Sequence, residues 1–108
     1  KTMKIPKEIT IGRKTYMVQM NDNLINGKQM GQIDYNNYVM KIVTHATYKR
    51  SNGTEVHIKF SDEEVHDTFW HELTHGILHE MNHPLRDNES FVTKFANYLS
   101  HAINTAKL

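Results

Sequence analysis

His71 and His75, with Glu72 between them in the run Phe69-Trp70-His71-Glu72-Leu73-Thr74-His75-Gly76, are the residues of this 108-residue chain best suited to chemistry. On a helix the two imidazoles stand one turn apart on the same face, a spacing at which both can hold a single metal ion. Glu72 is turned about 100° from His71, so it borders that face without competing as a ligand. Two nitrogen ligands with a carboxylate alongside suit metal-assisted hydrolysis, in which the carboxylate takes a proton from the attacking water. The chain has no cysteine, so a metal must be held by His, Asp or Glu.

A catalytic zinc site takes three protein ligands as a rule and leaves one position open. Downstream of His75 the candidates are His79, His83, Asp87 and Glu89. His79 continues the same helix face, but it is displaced from His71 by about 12 Å at ~1.5 Å rise per residue, against metal–nitrogen bonds of ~2 Å. Only a helix broken at Gly76 would bring it back, and the apolar stripe running on through Ile77 and Met81 argues for an unbroken one. His83 and Asp87 fall in the following turn, where spacing fixes no direction toward a metal. Glu89 falls in the first turn of a second helix. If that helix packs back along the first, its carboxylate can reach the two imidazoles, with Thr93 and Asn97 placed for supporting hydrogen bonds. Spacing makes Glu89 compatible without choosing it over the others. Tyr35, His79 and His83 are candidate donors to a developing oxyanion, and the sequence does not rank them.

These residues need a scaffold, and the pattern supplies one. Ile9 and Ile11, a Gly12-Arg13 turn, then Tyr16, Val18 and Met20 predict a hairpin over residues 8–20. Asn21 to Gly31 is polar and reads as a loop. Gln32–Tyr35, Asn36-Asn37 and Tyr38–Val43 predict a second hairpin, with Asn supplying the positive φ of its turn. Val56, Ile58 and Phe60 alternate with Glu55, His57 and Lys59 after a Ser51-Asn52-Gly53-Thr54 turn, the pattern of a half-buried strand with His57 on its solvent side.

Ser61 and Glu64 form a capping-box signature for a helix over 61–82. Its apolar stripe is Val65, Phe69, Leu73 and Ile77, joined by Trp70 and Met81, and Pro84 disfavours helical geometry at His83. Asp87 is the expected N-cap of a second helix over 87–107, with the stripe Phe91, Val92, Phe95, Leu99, Ala102, Ile103 and Ala106. The expected fold is a single α+β domain over 1–108, an antiparallel-rich sheet (about 8–60) packed on the two helices.

Thirteen basic residues nearly cancel twelve acidic ones, which removes the electrostatic case for nucleic acid or an anionic membrane as partner. No apolar run approaches the ~18 residues of a membrane span, and the first residues lack a signal-peptide h-region. The expected location is the cytoplasm.

The stretch Phe69-Trp70-His71-Glu72-Leu73-Thr74-His75-Gly76-Ile77-Leu78 resembles the active-site helix of small phage and bacterial zinc metallopeptidases of the ImmA/IrrE-like kind. Glu89-Ser90-Phe91-Val92-Thr93-Lys94-Phe95-Ala96-Asn97 resembles the family's glutamate followed by an apolar, Phe-Ala-bearing helix. The resemblance covers roughly 61–103, with a looser likeness in Gly31-Gln32-Ile33-Asp34-Tyr35.

It implies a minimal zincin-like fold and a zinc ion held by His71, His75 and Glu89, with Glu72 as catalytic base. It also implies a peptide substrate laid along the sheet edge, and a bacterial host cell as the setting. Relatives cleave or antagonise repressor proteins, so the implied substrate is a phage or host regulatory protein. The alternative is a zincin-fold binding or inhibitory module that docks to a partner protein, by strand addition at the sheet edge, without turnover. An intact Glu72 favours the enzyme; the short chain, with little left to build a specificity pocket, leans the other way.

Overall fold

The computed structural model describes residues 4–21 and 29–107, so most of the expected loop between Asn21 and Gly31 lies outside the described residues. The chain forms β1 (Glu8–Ile11), β2 (Lys14–Asn21), β3 (Gly31–Asp34), β4 (Val39–Val43), β5 (His45–Lys49), β6 (Glu55–Lys59), α1 (Asp62–Glu80) and α2 (Glu89–Thr105). It is an α+β arrangement in which the strands divide between two sheets.

The larger sheet has the order β1-β2-β4-β3. β1 and β2 form the expected hairpin, turning at Gly12 with φ of 63°. β4 then inserts between β2 and β3, parallel to β2 and antiparallel to β3. Among the described residues three of the four strand pairings are antiparallel, so the antiparallel-rich expectation holds. The single sheet over 8–60 is corrected: the strands divide between two sheets, and β2 and β4 pair parallel. β3 takes the outer edge, and the β3–β4 hairpin sets β4 beside β2 in parallel.

In the β3–β4 turn the positive φ falls on Tyr38, at 55°, and not on Asn36 or Asn37. Asp34 explains the displacement. Its carboxylate accepts the backbone N–H groups of Asn36 (2.9 Å) and Asn37 (3.0 Å) and the Asn37 side-chain amide (2.9 Å), so both asparagines are held in an Asx-type turn.

β5 and β6 make a separate antiparallel ribbon. β6 is the expected strand, but Ile58 is 39% exposed and its inward face is thinly covered. β5 was not expected, because His45-Ala46-Thr47-Tyr48-Lys49 has no alternating apolar set and only Ala46 is buried.

α1 begins with the full capping box: the Ser61 hydroxyl accepts the Glu64 amide, and Glu64 reaches back to the Ser61 amide at 3.1 Å. It ends at Glu80, two residues short of the expected boundary, with Asn82 in the left-handed region at φ 51°. The helix is unbroken at Gly76. A Cβ there would come within 2.7 Å of Ile11 Cδ1 and 3.0 Å of Ile33 Cδ1, so glycine lets α1 settle onto the sheet.

The expected stripe is half right. Val65, Phe69 and Leu73 join Ile11, Tyr16, Met40 and Ile42 in the core, while Ile77 (42% exposed) and Met81 (63%) stand outside it. That end of α1 still meets the β1–β2 hairpin, with Leu78 buried and Glu80 3.6 Å from Lys14, so Ile77 and Met81 lie on the part of the helix surface that the sheet does not cover.

α2 starts from Asn88, whose side chain accepts the Phe91 amide at 3.0 Å, and not from Asp87. It packs against α1 through Val92, Ala96 and Ser100. Small residues on that face allow close approach, which leaves the bulkier Phe95 and Ile103 of the expected stripe largely exposed. Among the described residues no helix is long and apolar enough to cross a membrane.

Candidate metal centre

α1 carries His71 and His75 toward a cleft of about 560 Å³ that lies between α1, the start of α2 and the β3 edge. The fold-back of α2 places Glu89 opposite them. Its carboxylate oxygens lie 3.1 Å from His71 Nε2 and 2.7 Å from His75 Nε2, and the three ligand atoms fall within 4.8 Å of one another. Tetrahedral zinc with ~2 Å bonds separates its ligand atoms by roughly 3.3 Å. The donor set, two imidazole nitrogens and a carboxylate, is one that could hold a metal ion.

The protonation pattern agrees. His75 Nδ1 lies 2.8 Å from the Arg86 carbonyl, which can only accept, so Nδ1 carries a hydrogen and Nε2 is the nitrogen turned toward Glu89. Burial is the largest influence on His71 and lowers its pKa despite the neighbouring Glu89, favouring the neutral, ligating imidazole.

Glu72 is 8% exposed and lines the same cleft. Among the described residues its carboxylate has no hydrogen-bond partner, whereas its buried neighbours Thr68 and Thr74 return their hydroxyls to the Glu64 and Trp70 carbonyls of their own helix. Burial pushes the Glu72 carboxyl up to about 7, with His75 opposing and Glu89 adding to the shift. A divalent cation at the adjacent ligand set would draw it back down. A buried carboxylate without a protein partner is costly to keep and marks a functional position.

The remaining candidates separate cleanly. Asp87 lines the cleft, yet it stands outside the three-ligand group and lies 3.8 Å from the Arg86 guanidinium. His83 belongs to the inter-helix turn, where its ring nitrogen accepts the Leu85 amide at 3.0 Å. The His79 imidazole stacks on Tyr35, with ring centroids 3.8 Å apart and planes at 11°. Of the two expected supporting residues on α2, Asn97 lines the cleft. A second cavity of about 450 Å³, shared through Asp67 and Asn97, continues along the helix pair past Glu63 and His101.

Two contributors were not found from the sequence. Gly31 brings the β3 backbone against Glu72: a Cβ there would lie 2.6 Å from Thr68 Cγ2 and 3.2 Å from Glu72 Oε2. The Arg86 carbonyl engages His75 Nδ1. Both act through the backbone, which side-chain patterns do not announce; the only signal for Gly31 was a small residue at the start of a strand. No family model, curated protein or solved structure matches this chain.

Proposed function

We propose that this chain is a zinc-dependent metallopeptidase of minimal zincin-like fold, of the ImmA/IrrE-like kind. Its substrate is a protein, of the class of phage or host regulators. The observation that carries the reading is the buried, unpartnered Glu72 carboxylate in the same cleft as the convergent nitrogens of His71 and His75 and the Glu89 carboxylate.

His71, His75 and Glu89 are the residues that would hold the ion. When bound, zinc supplies a Lewis acid that acidifies water and polarises a carbonyl. Glu72 accepts the proton of the attacking water and hands it to the leaving amine. Glu72 reaches the cleft from a largely buried position, and the Arg86 carbonyl engages His75 Nδ1, which leaves Nε2 as the ligating nitrogen. β3, at the outer edge of the sheet and in contact with the cleft through Gly31, offers backbone groups along which an extended peptide can lie. The two adjoining cavities provide room for several substrate residues, so the shortness of the chain does not count against an enzyme.

The exposed edge would also serve a module that docks without turnover, and Glu72 separates the two readings. With fluorescein-labelled casein as probe, the zinc-loaded wild type should release fluorescence. Glu72→Gln should lose at least about 10²-fold in rate while keeping its zinc. A Glu72→Gln variant as active as the wild type would sink the peptidase reading.

A further inference from the structure

Three side chains were candidates to stabilise a developing oxyanion, and only Tyr35 lines the cleft with His71, Glu72, His75 and Glu89. Its position is fixed from two sides. The residue lies within the turn that Asp34 pins through the amides of Asn36 and Asn37. The ring is clamped by the parallel His79 imidazole, 3.8 Å away.

The phenol has no hydrogen-bond partner among the described residues, so its O–H is available to a ligand in the cleft. Burial first, and then the Glu72 charge ahead of any other, push the phenol up to about 12. It therefore stays a neutral donor at any pH at which the protein would work.

We infer that Tyr35 is a catalytic residue that donates a hydrogen bond to the substrate carbonyl oxygen as it gains negative charge, and that His79 is the positioning residue that holds its ring. The inference rests on the metallopeptidase reading. Tyr35 keeps its proton throughout; no bond to it forms or breaks. A donor already held in place needs no reorganisation as charge develops, which is what makes such a contact stronger in the transition state than in the bound substrate. His79, eight residues beyond His71 and too far along the helix to share its metal, thus gains a role one turn past His75.

The test compares zinc-loaded wild type, Tyr35→Phe, His79→Ala, His79→Phe and Glu72→Gln. The readouts are turnover of fluorescein-labelled casein, zinc content, and calorimetric affinity for an N-phosphoryl dipeptide, whose tetrahedral anion mimics the oxyanion. Tyr35→Phe should lower kcat by about 10²–10³-fold with little change in KM or zinc content. It should also weaken the phosphoryl dipeptide by about ten- to a hundredfold, the scale of a hydrogen bond to a charged group. His79→Ala should lower kcat with zinc retained, and His79→Phe, which restores a stacking ring, should recover it.

If Glu72→Gln is inactive but Tyr35→Phe matches the wild type within about twofold, this inference fails and the peptidase reading stands. If the wild type does not cleave casein, the dipeptide still decides: affinity lost in Tyr35→Phe supports the donor role. Equal affinity in the two, or no binding to the wild type, overturns it.

Discussion

Among the described residues, two His–carboxylate arrangements behave in opposite ways. On the β5–β6 ribbon, His57 Nε2 lies 2.9 Å from Glu55 Oε1 and its Nδ1 lies 3.1 Å from the Thr47 hydroxyl, all at the surface. Between the helices, His71 and His75 meet Glu89 at comparable distances, 3.1 and 2.7 Å. The contact lengths do not distinguish them; their surroundings do. The ribbon pair is solvated and solitary, and a pair of that kind contributes little. The inter-helix set converges two imidazoles that are mostly buried, one oriented by a backbone carbonyl, beside a buried carboxylate that has no hydrogen-bond partner among the described residues. A candidate site is recognised by convergence and unmet polar demand, not by a close contact alone.

That contrast extends to the supporting structure, and the largest expected effect lies in the layer under α1. Phe69 is 1% exposed in the core, so Phe69→Ala should cost about 3–5 kcal/mol of unfolding free energy. The same truncation at Ile58 on the ribbon should cost under about 1 kcal/mol, because that side chain is already partly solvated. Chemical denaturation of the two variants reads the difference; equal losses would mean the ribbon is as well packed as the helix wall.

Gly31→Ala should come next. The added Cβ would meet Thr68 Cγ2 at 2.6 Å, and the Thr68 hydroxyl is tied to the Glu64 carbonyl at 3.0 Å, so the methyl cannot turn away without breaking that bond. A loss of about 1–3 kcal/mol is expected from the overpacking. A neutral or stabilising result would show that β3 is not seated against Glu72 as described.

The smallest effect concerns pH at the β3–β4 turn. The Asn37 side chain, then the Asn37 and Asn36 amides, hold the Asp34 carboxyl below its ordinary value. A folded-state pKa below the unfolded one gives stability that is present above the unfolded value and lost as pH falls through the folded one. Stability of the wild type should therefore decline below about pH 4, and Asp34→Ala should lower stability at neutral pH while flattening that decline. An unchanged acid profile in Asp34→Ala would remove the turn from the account.

Much of this was legible in the sequence where local rules act alone. The β1–β2 hairpin follows from alternation around Gly12, and the start of α1 from Ser61 and Glu64. The two-histidine face of α1 follows from helical spacing. What was not legible depends on other layers. β5 is a strand because β6 pairs with it, not because of its own pattern. The exposure of Ile77, Met81, Phe95 and Ile103 depends on which part of each helix surface its neighbours cover, which periodicity does not encode. Glu89 needed the α2 fold-back, and Gly31 and the Arg86 carbonyl contribute only backbone.

The central claim is that His71, His75 and Glu89 together hold one metal ion. Elemental analysis after zinc loading and dialysis tests it directly. The wild type and His57→Ala should each retain about one zinc per chain, and His75→Ala and Glu89→Ala should lose most of it. A wild type that takes up no zinc, or a His75→Ala variant that keeps a full equivalent, would contradict the claim.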